Sequence, residues 1–198
     1  MAAVVAGSFG SLGAYGATQQ PELLLEQHST VVRVYRPFKD GGMNPMLHVR
    51  SRATGFCWTG SDAAFRRRDA WRCLRSGRFI VDPCFAGPNR SVKYVLCPDQ
   101  AWNNGVLRLQ LNRALPAHND NTQDEGSVWA IVTTGGLHCT RQTGQIPRVA
   151  GKPLLYDCAN NGALAGEPDT TRSLWSILFS PAAHPSRFSR TAIAAAWR

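Results

Sequence analysis

The chain is short of acid. Thirteen Asp and Glu stand against twenty-two Lys and Arg over 198 residues, a formal charge of +9. Such a field attracts phosphate, nucleic acid, acidic glycans or lipid head groups, and it says nothing about fold. No apolar run approaches the roughly 20 residues that carry a helix across a bilayer, so no transmembrane segment is expected. There is no Cys-x-x-Cys, which removes the thioredoxin-type redox motif. No Cys and His set has finger or ribbon spacing, and His138-Cys139 is too cramped for a metal clasp. Gly-x-Ser-x-Gly, His-Glu-x-x-His and the Gly-x-x-x-x-Gly-Lys phosphate loop are all missing. No metal, nucleotide or organic cofactor is therefore expected. A dispersed triad stays open, because triads are defined by geometry and not by order in the chain. The first ten residues lack a basic n-region and the first arginine is Arg33, so they do not read as a signal peptide. No internal repeat is visible.

What is present begins with six cysteines: Cys57, Cys73, Cys84, Cys97, Cys139 and Cys158. A core of this size does not need covalent help. Small buried thiols are one reading. Disulfides explain more, since the count is even and neighbouring cysteines lie close along the chain. Six cysteines admit fifteen connectivities, of which the sequential one, Cys57–Cys73, Cys84–Cys97 and Cys139–Cys158, is preferred. Each such loop would stabilise by about 3 kcal/mol in the chain-entropy picture. Disulfides imply an oxidising, extracytoplasmic compartment.

Eighteen glycines and twelve prolines favour turns over long helices. Residues 1–28, rich in Gly, Ala and Gln, read as a flexible arm or linker, and residues 29–198 as one domain. Strands are expected at Val31–Tyr35, Phe79–Val81, Tyr94–Leu96 and Leu107–Asn112. The last of these alternates apolar and polar behind the turn dipeptide Asn104-Gly105. Gly135-Gly136 marks a hairpin between Trp129–Thr133 and Leu137–Thr140. Further strands follow at Leu154–Cys158, across Trp175, Ile177 and Phe179, and across Ile193, Ala195 and Trp197, where the alanine content also permits a helix. A short helix is expected around Arg68–Leu74. The fold class is thus mainly β: a small antiparallel barrel or sandwich of short strands with one short helix, stapled by disulfides.

The sharpest local feature is the segment Phe65–Arg78, which holds Arg66, Arg67, Arg68, Arg72, Arg75 and Arg78. On a helix, Arg68, Arg72 and Arg75 would share a face. Guanidinium forks bind phosphate and carboxylate bidentately, and Trp71 could stack on a sugar or base. The plainer reading pairs some arginines with Asp62 and Asp69 and leaves the rest to water. Asp69 is expected to cap the helix, and Asp82, before Pro83, to set an Asx turn. Trp58, Trp71, Trp102, Trp129, Trp175 and Trp197 suit a core better than a ligand platform. His118, Asp120, Asp124 and Glu125 fall in a polar loop with no EF-hand spacing.

The motifs Cys57-Trp-Thr-Gly-Ser61, Asp69-Ala-Trp-Arg-Cys73, Asp82-Pro-Cys-Phe85 and Leu96-Cys-Pro98 recur in a recognisable pattern. Trp129-Ala130, Tyr156-Asp-Cys158, Arg172-Ser-Leu-Trp175 and Ala196-Trp197 extend it. Over about residues 55–197 the chain resembles an uncharacterised Cys-rich group of exported or cell-envelope domains of actinobacteria. The resemblance implies a fold more than an activity, and it carries no catalytic or binding residue.

Two functions follow. The first is a non-catalytic secreted or envelope module that binds an anionic or protein partner through the Arg-rich face. The partners that chemistry permits are an anionic glycan, a phospholipid surface or an envelope protein, with nucleic acid also compatible with the charge. The second is an exported hydrolase with a dispersed acidic and His site.

Overall fold

A computed structural model of the chain describes residues 28–89, 93–117, 127–159 and 161–198. Nearly all of the expected arm, and the loop holding His118, Asp120, Asp124 and Glu125, lie outside the described residues. Among the described residues there are fifteen strands and no helix. They are β1 (Val31–Arg33), β2 (Phe38–Lys39), β3 (Gly42–Met43), β4 (His48–Gly60), β5 (Ala70–Arg75), β6 (Phe79–Ala86), β7 (Tyr94–Pro98) and β8 (Gly105–Leu111). Then come β9 (Ala130–Thr133), β10 (His138–Arg141), β11 (Arg148–Val149), β12 (Lys152–Asp157), β13 (Gly162–Asp169), β14 (Ser176–Pro181) and β15 (Ser189–Trp197).

Strands β4 to β8 run as a meander that closes on itself through a parallel β4–β8 pairing. Closure depends on the length of β4. Its first half pairs with β8, from His48↔Gly105 to Gly55↔Leu111, and its second half pairs with β5. The change of partner falls at Gly55, where a Cβ would stand 2.0 Å from the Leu74 carbonyl oxygen. Only glycine allows so close a backbone approach. Inside this barrel Val95, Leu107 and Leu109 pack around four buried cysteines.

The second half forms a ring of six strands in the order β15-β14-β13-β12-β10-β9, closed by β15 on β9. Where β15 leaves β14, β1 takes the vacated edge in parallel, from Val31↔Ala195 to Arg33↔Trp197. Ile131, Tyr156, Leu164 and Ile193 fill the interior. The two barrels share a third cluster, in which Phe85 and Ala70 from the first meet Trp129 and Trp197 from the second, with Tyr35 between them.

The disulfides join Cys57 to Cys73, Cys84 to Cys97 and Cys139 to Cys158. Each links neighbouring strands of one barrel or the residue just beyond one, and none crosses between barrels. All six sulfurs belong to residues at most 2% exposed.

The expected helix at Arg68–Leu74 is a turn at Arg68 and Asp69 followed by a strand from Ala70. Six residues between two turns are too few to offset the cost of helix nucleation. The second turn is decisive: Ser76 and Gly77 sit at φ 50° and 70°, and the Arg78 N–H donates to the Arg75 carbonyl at 3.2 Å. Positive φ at both central residues is the hairpin geometry that matches strand twist. Trp71 and Cys73 then point inward, and Arg72 and Leu74 lie on the partly exposed face. The last strand is also displaced from expectation. A bulge between Ile193 and Ala195 shifts its parity, so that Ile193, Ala196 and Trp197 are buried and Ala195 is not.

Candidate anion-binding cavity

A cavity of about 960 Å³ opens on the first barrel beside the junction. Four stretches of chain make its walls. The segment after β1 brings Arg36, Pro37 and Phe38, and the turn before β5 brings Arg67, Arg68 and Asp69. The end of β6 contributes Ala86 through Asn89, and the β7–β8 hairpin contributes Lys93 and residues 111–116. Trp71, 4% exposed, lies in the wall together with Leu111, 8% exposed. Phe38 is seated by Gly87, where a Cβ would come within 3.0 Å of its ring, and its ring centroid is 6.0 Å from that of Tyr94.

Five basic side chains border this space: Arg36, Arg67, Arg68, Lys93 and Arg113. Asp69 is the one carboxylate among the described lining residues, and it is engaged already. Arg67 donates from Nε to one Asp69 oxygen at 2.9 Å and from Nη2 to the other at 2.6 Å. That pair is neutral in sum. Arg36, Arg68, Lys93 and Arg113 are all exposed, and the Arg113 guanidinium lies over the Phe56 ring at 3.4 Å.

The Arg-rich segment is not one face. A strand advances about 3.3 Å per residue and a helix about 1.5 Å, so the ends of β5, Ala70 and Arg75, are about 17 Å apart where a helix would hold them about 8 Å apart. Arg67 is interior, 8% exposed, and its Nη1 donates to the main-chain carbonyls of Tyr35 and Arg198, each at 2.9 Å. Arg72 pairs with Asp62 and lies over the exposed Trp58. Arg75 stacks on Phe79 at the hairpin end with the exposed Arg78, and Arg66, at φ 70°, lies over Phe65. Of the seven residues proposed for anion binding, Arg67, Arg68 and Trp71 line the cavity, and Arg66, Arg72, Arg75 and Arg78 do not.

Sequence reasoning passed over Arg36, Lys93 and Arg113. A signal for two of them existed. The β7–β8 hairpin pairs Tyr94 with Gln110, and the Leu111 N–H donates to the Lys93 carbonyl at 2.8 Å. The β7–β8 pairing therefore brings Lys93 and Arg113 to one end of one hairpin, opposite its 99–104 connection. Arg36 joins them only through the tertiary fold.

Two other polar clusters are internally satisfied. Asp82 does not set a local Asx turn. Its carboxyl takes the Ser61 hydroxyl and the Asp62 N–H, the latter at 3.0 Å, and so ties the 61–64 turn to β6. Burial pushes this carboxyl up to about 6, against the lowering effects of the Ser61 hydroxyl, Arg72 and the Ala63 amide. Ser61 Oγ also accepts the Ala64 N–H at 2.8 Å and is buried, which makes it a turn anchor. In the second barrel Arg141 grips both Glu167 oxygens, at 2.5 and 3.0 Å, and Tyr156 donates to the Val128 carbonyl at 3.0 Å. Burial, with Glu167 adding to it, raises the Tyr156 hydroxyl well above its ordinary value. Asp69 caps no helix, since none is there to cap.

No protein-family model matches the chain, and neither a curated protein nor a solved structure is significantly similar to it.

Proposed function

We propose that this chain is a non-catalytic, extracytoplasmic binding module, secreted or held at the cell envelope, that takes an anionic partner at the cavity of its first barrel. The observation that carries this reading is the charge around that cavity: among the described lining residues, five basic side chains stand against one carboxylate, itself paired with Arg67. The three buried disulfides support an oxidising compartment. The resemblance to exported Cys-rich domains points the same way. Anionic glycans, phospholipids, envelope proteins and nucleic acid all present the required charge.

Two double variants, each removing two positive charges, separate the cavity from the hairpin arginines. On immobilised heparin, Lys93→Ala/Arg113→Ala should elute at clearly lower salt than wild type, and Arg75→Ala/Arg78→Ala close to wild type. Equal losses would make the interaction a property of net charge, and the reverse order would move the site to the β5–β6 hairpin.

A further inference from the structure

We propose that the ligand of this cavity is an amphipathic anion, an acidic head group such as phosphate or carboxylate carried on an apolar body of alkyl or aryl type. The inference rests on the anion-binding reading and names the class of molecule that the same site takes. Its grounds are the distribution of wall chemistry and the size of the space.

Apart from the buried Arg67, which is paired with Asp69, the lining cations are exposed and the larger apolar side chains are buried or half-buried. Arg36, Lys93 and Arg113 are exposed at the opening, whereas Trp71 and Leu111 are buried and Phe38 and Leu115 half-buried. A head group held by the outer cations would place whatever it carries against Trp71, Leu111, Leu115 and Phe38. A bare inorganic anion would leave that apolar wall unused. The volume of about 960 Å³ lies in the range of sites that enclose a small organic molecule, roughly 300–1,000 Å³. Apolar walls with a few placed polar groups are the usual composition of such sites.

A sugar-like body fits the wall less well. Each hydroxyl desolvated against Leu111, Leu115, Pro88 or Pro116 without a partner would weaken binding. A methylene in the same place strengthens binding about fourfold when fully buried. The guanidinium groups supply the matching head-group chemistry, since their planar fork accepts either phosphate or carboxylate. Both head groups belong to the proposal, and the experiment includes each.

Calorimetric titration of the whole chain with dodecyl phosphate and with dodecanoate, each below its micelle-forming concentration, tests this. Inorganic phosphate and neutral dodecyl maltoside are the comparison probes. Dodecyl phosphate, dodecanoate or both should bind at least about tenfold more tightly than phosphate or the maltoside, as partial burial of the chain requires. Lys93→Ala/Arg113→Ala should weaken that binding about tenfold, of the order expected for charge-assisted hydrogen bonds. Leu115→Ser should weaken the amphiphiles and leave inorganic phosphate unchanged. Phosphate binding as tightly as dodecyl phosphate would overturn the amphipathic ligand and leave the anion-binding reading standing. Equal binding of the maltoside, indifferent to Lys93 and Arg113, would overturn both, as would no binding of any probe at low salt.

Discussion

The guanidinium of Arg67 reaches four acceptors: both oxygens of Asp69 and the main-chain carbonyls of Tyr35 and Arg198. It also lies over the Phe85 ring at 4.5 Å. One side chain thus joins the turn before β5 to the segment after β1 and to the end of β15, at the seam between the barrels. Truncation removes the charge, the fork and the packing of the stem together. Arg67→Ala should cost about 3 kcal/mol or more, because buried carbonyls and a charged hydrogen-bonded pair lose their partner at once. Arg67→Lys should cost less, since it keeps a charge for Asp69 while losing the planar geometry. Urea denaturation of the three proteins measures this. A loss under about 1 kcal/mol for the alanine variant would show that the seam holds without Arg67. Nothing in the sequence separates this arginine from Arg66 or Arg68 beside it, because its acceptors lie 32 and 131 residues away.

Among the elements, the 61–64 turn and β6 are coupled through Asp82, and that coupling titrates. The carboxyl has a folded value of about 6 against 3.8 for the free group, chiefly through burial. A raised carboxyl favours the protonated form in the folded state. The stability it contributes is therefore present at pH 4 and is lost as pH rises through about 6, with a slope of at most about 1.4 kcal/mol per pH unit. Asp82→Asn imitates the protonated side chain: its amide N–H can donate to Ser61 Oγ while its oxygen accepts the Asp62 N–H. The variant should lack the fall in stability between pH 4.5 and 7 that wild type shows, as followed by thermal melting. Parallel pH curves for the two proteins would place the titration elsewhere. At this scale much of the fold was legible. The hairpin at Gly135-Gly136, the alternation in β8 and the pairing of successive cysteines all follow from local pattern and short separation, whereas Asn104-Gly105 forms no tight two-residue turn because Gly105 already belongs to β8 and the connection is residues 99–104. The β5 segment was misread because an i, i+4 arginine spacing resembles a helix face, while Ser76-Gly77, a turn dipeptide, carried the contrary signal.

In the whole molecule two closed barrels, each stapled internally, meet through Tyr35, Phe85, Trp129 and Trp197. The cavity lies beside that seam, and its cations come from positions as distant in sequence as Arg36 and Arg113. Such convergence is invisible to local pattern. Arg68 and Trp71 were legible as candidates because they sit in a conspicuous cluster, and Arg36 was not because it stands alone in its loop. The double-barrel architecture was equally hidden, since the parallel β4–β8 closure joins residues as far apart in sequence as His48 and Gly105 and leaves no periodicity of its own. The proposed site holds anions in this cavity and not over the basic surface at large. Amide chemical-shift mapping with inorganic pyrophosphate, at low salt and again at about 1 M, where screening shortens to about 3 Å, tests it most directly. Binding in the cavity gives saturable shifts confined to Gly87, Asn89, Lys93, Asn112 and Arg113 at low salt, vanishing at high salt. Weak, unsaturated shifts spread equally over Arg78, Arg148 and Arg190 would contradict it.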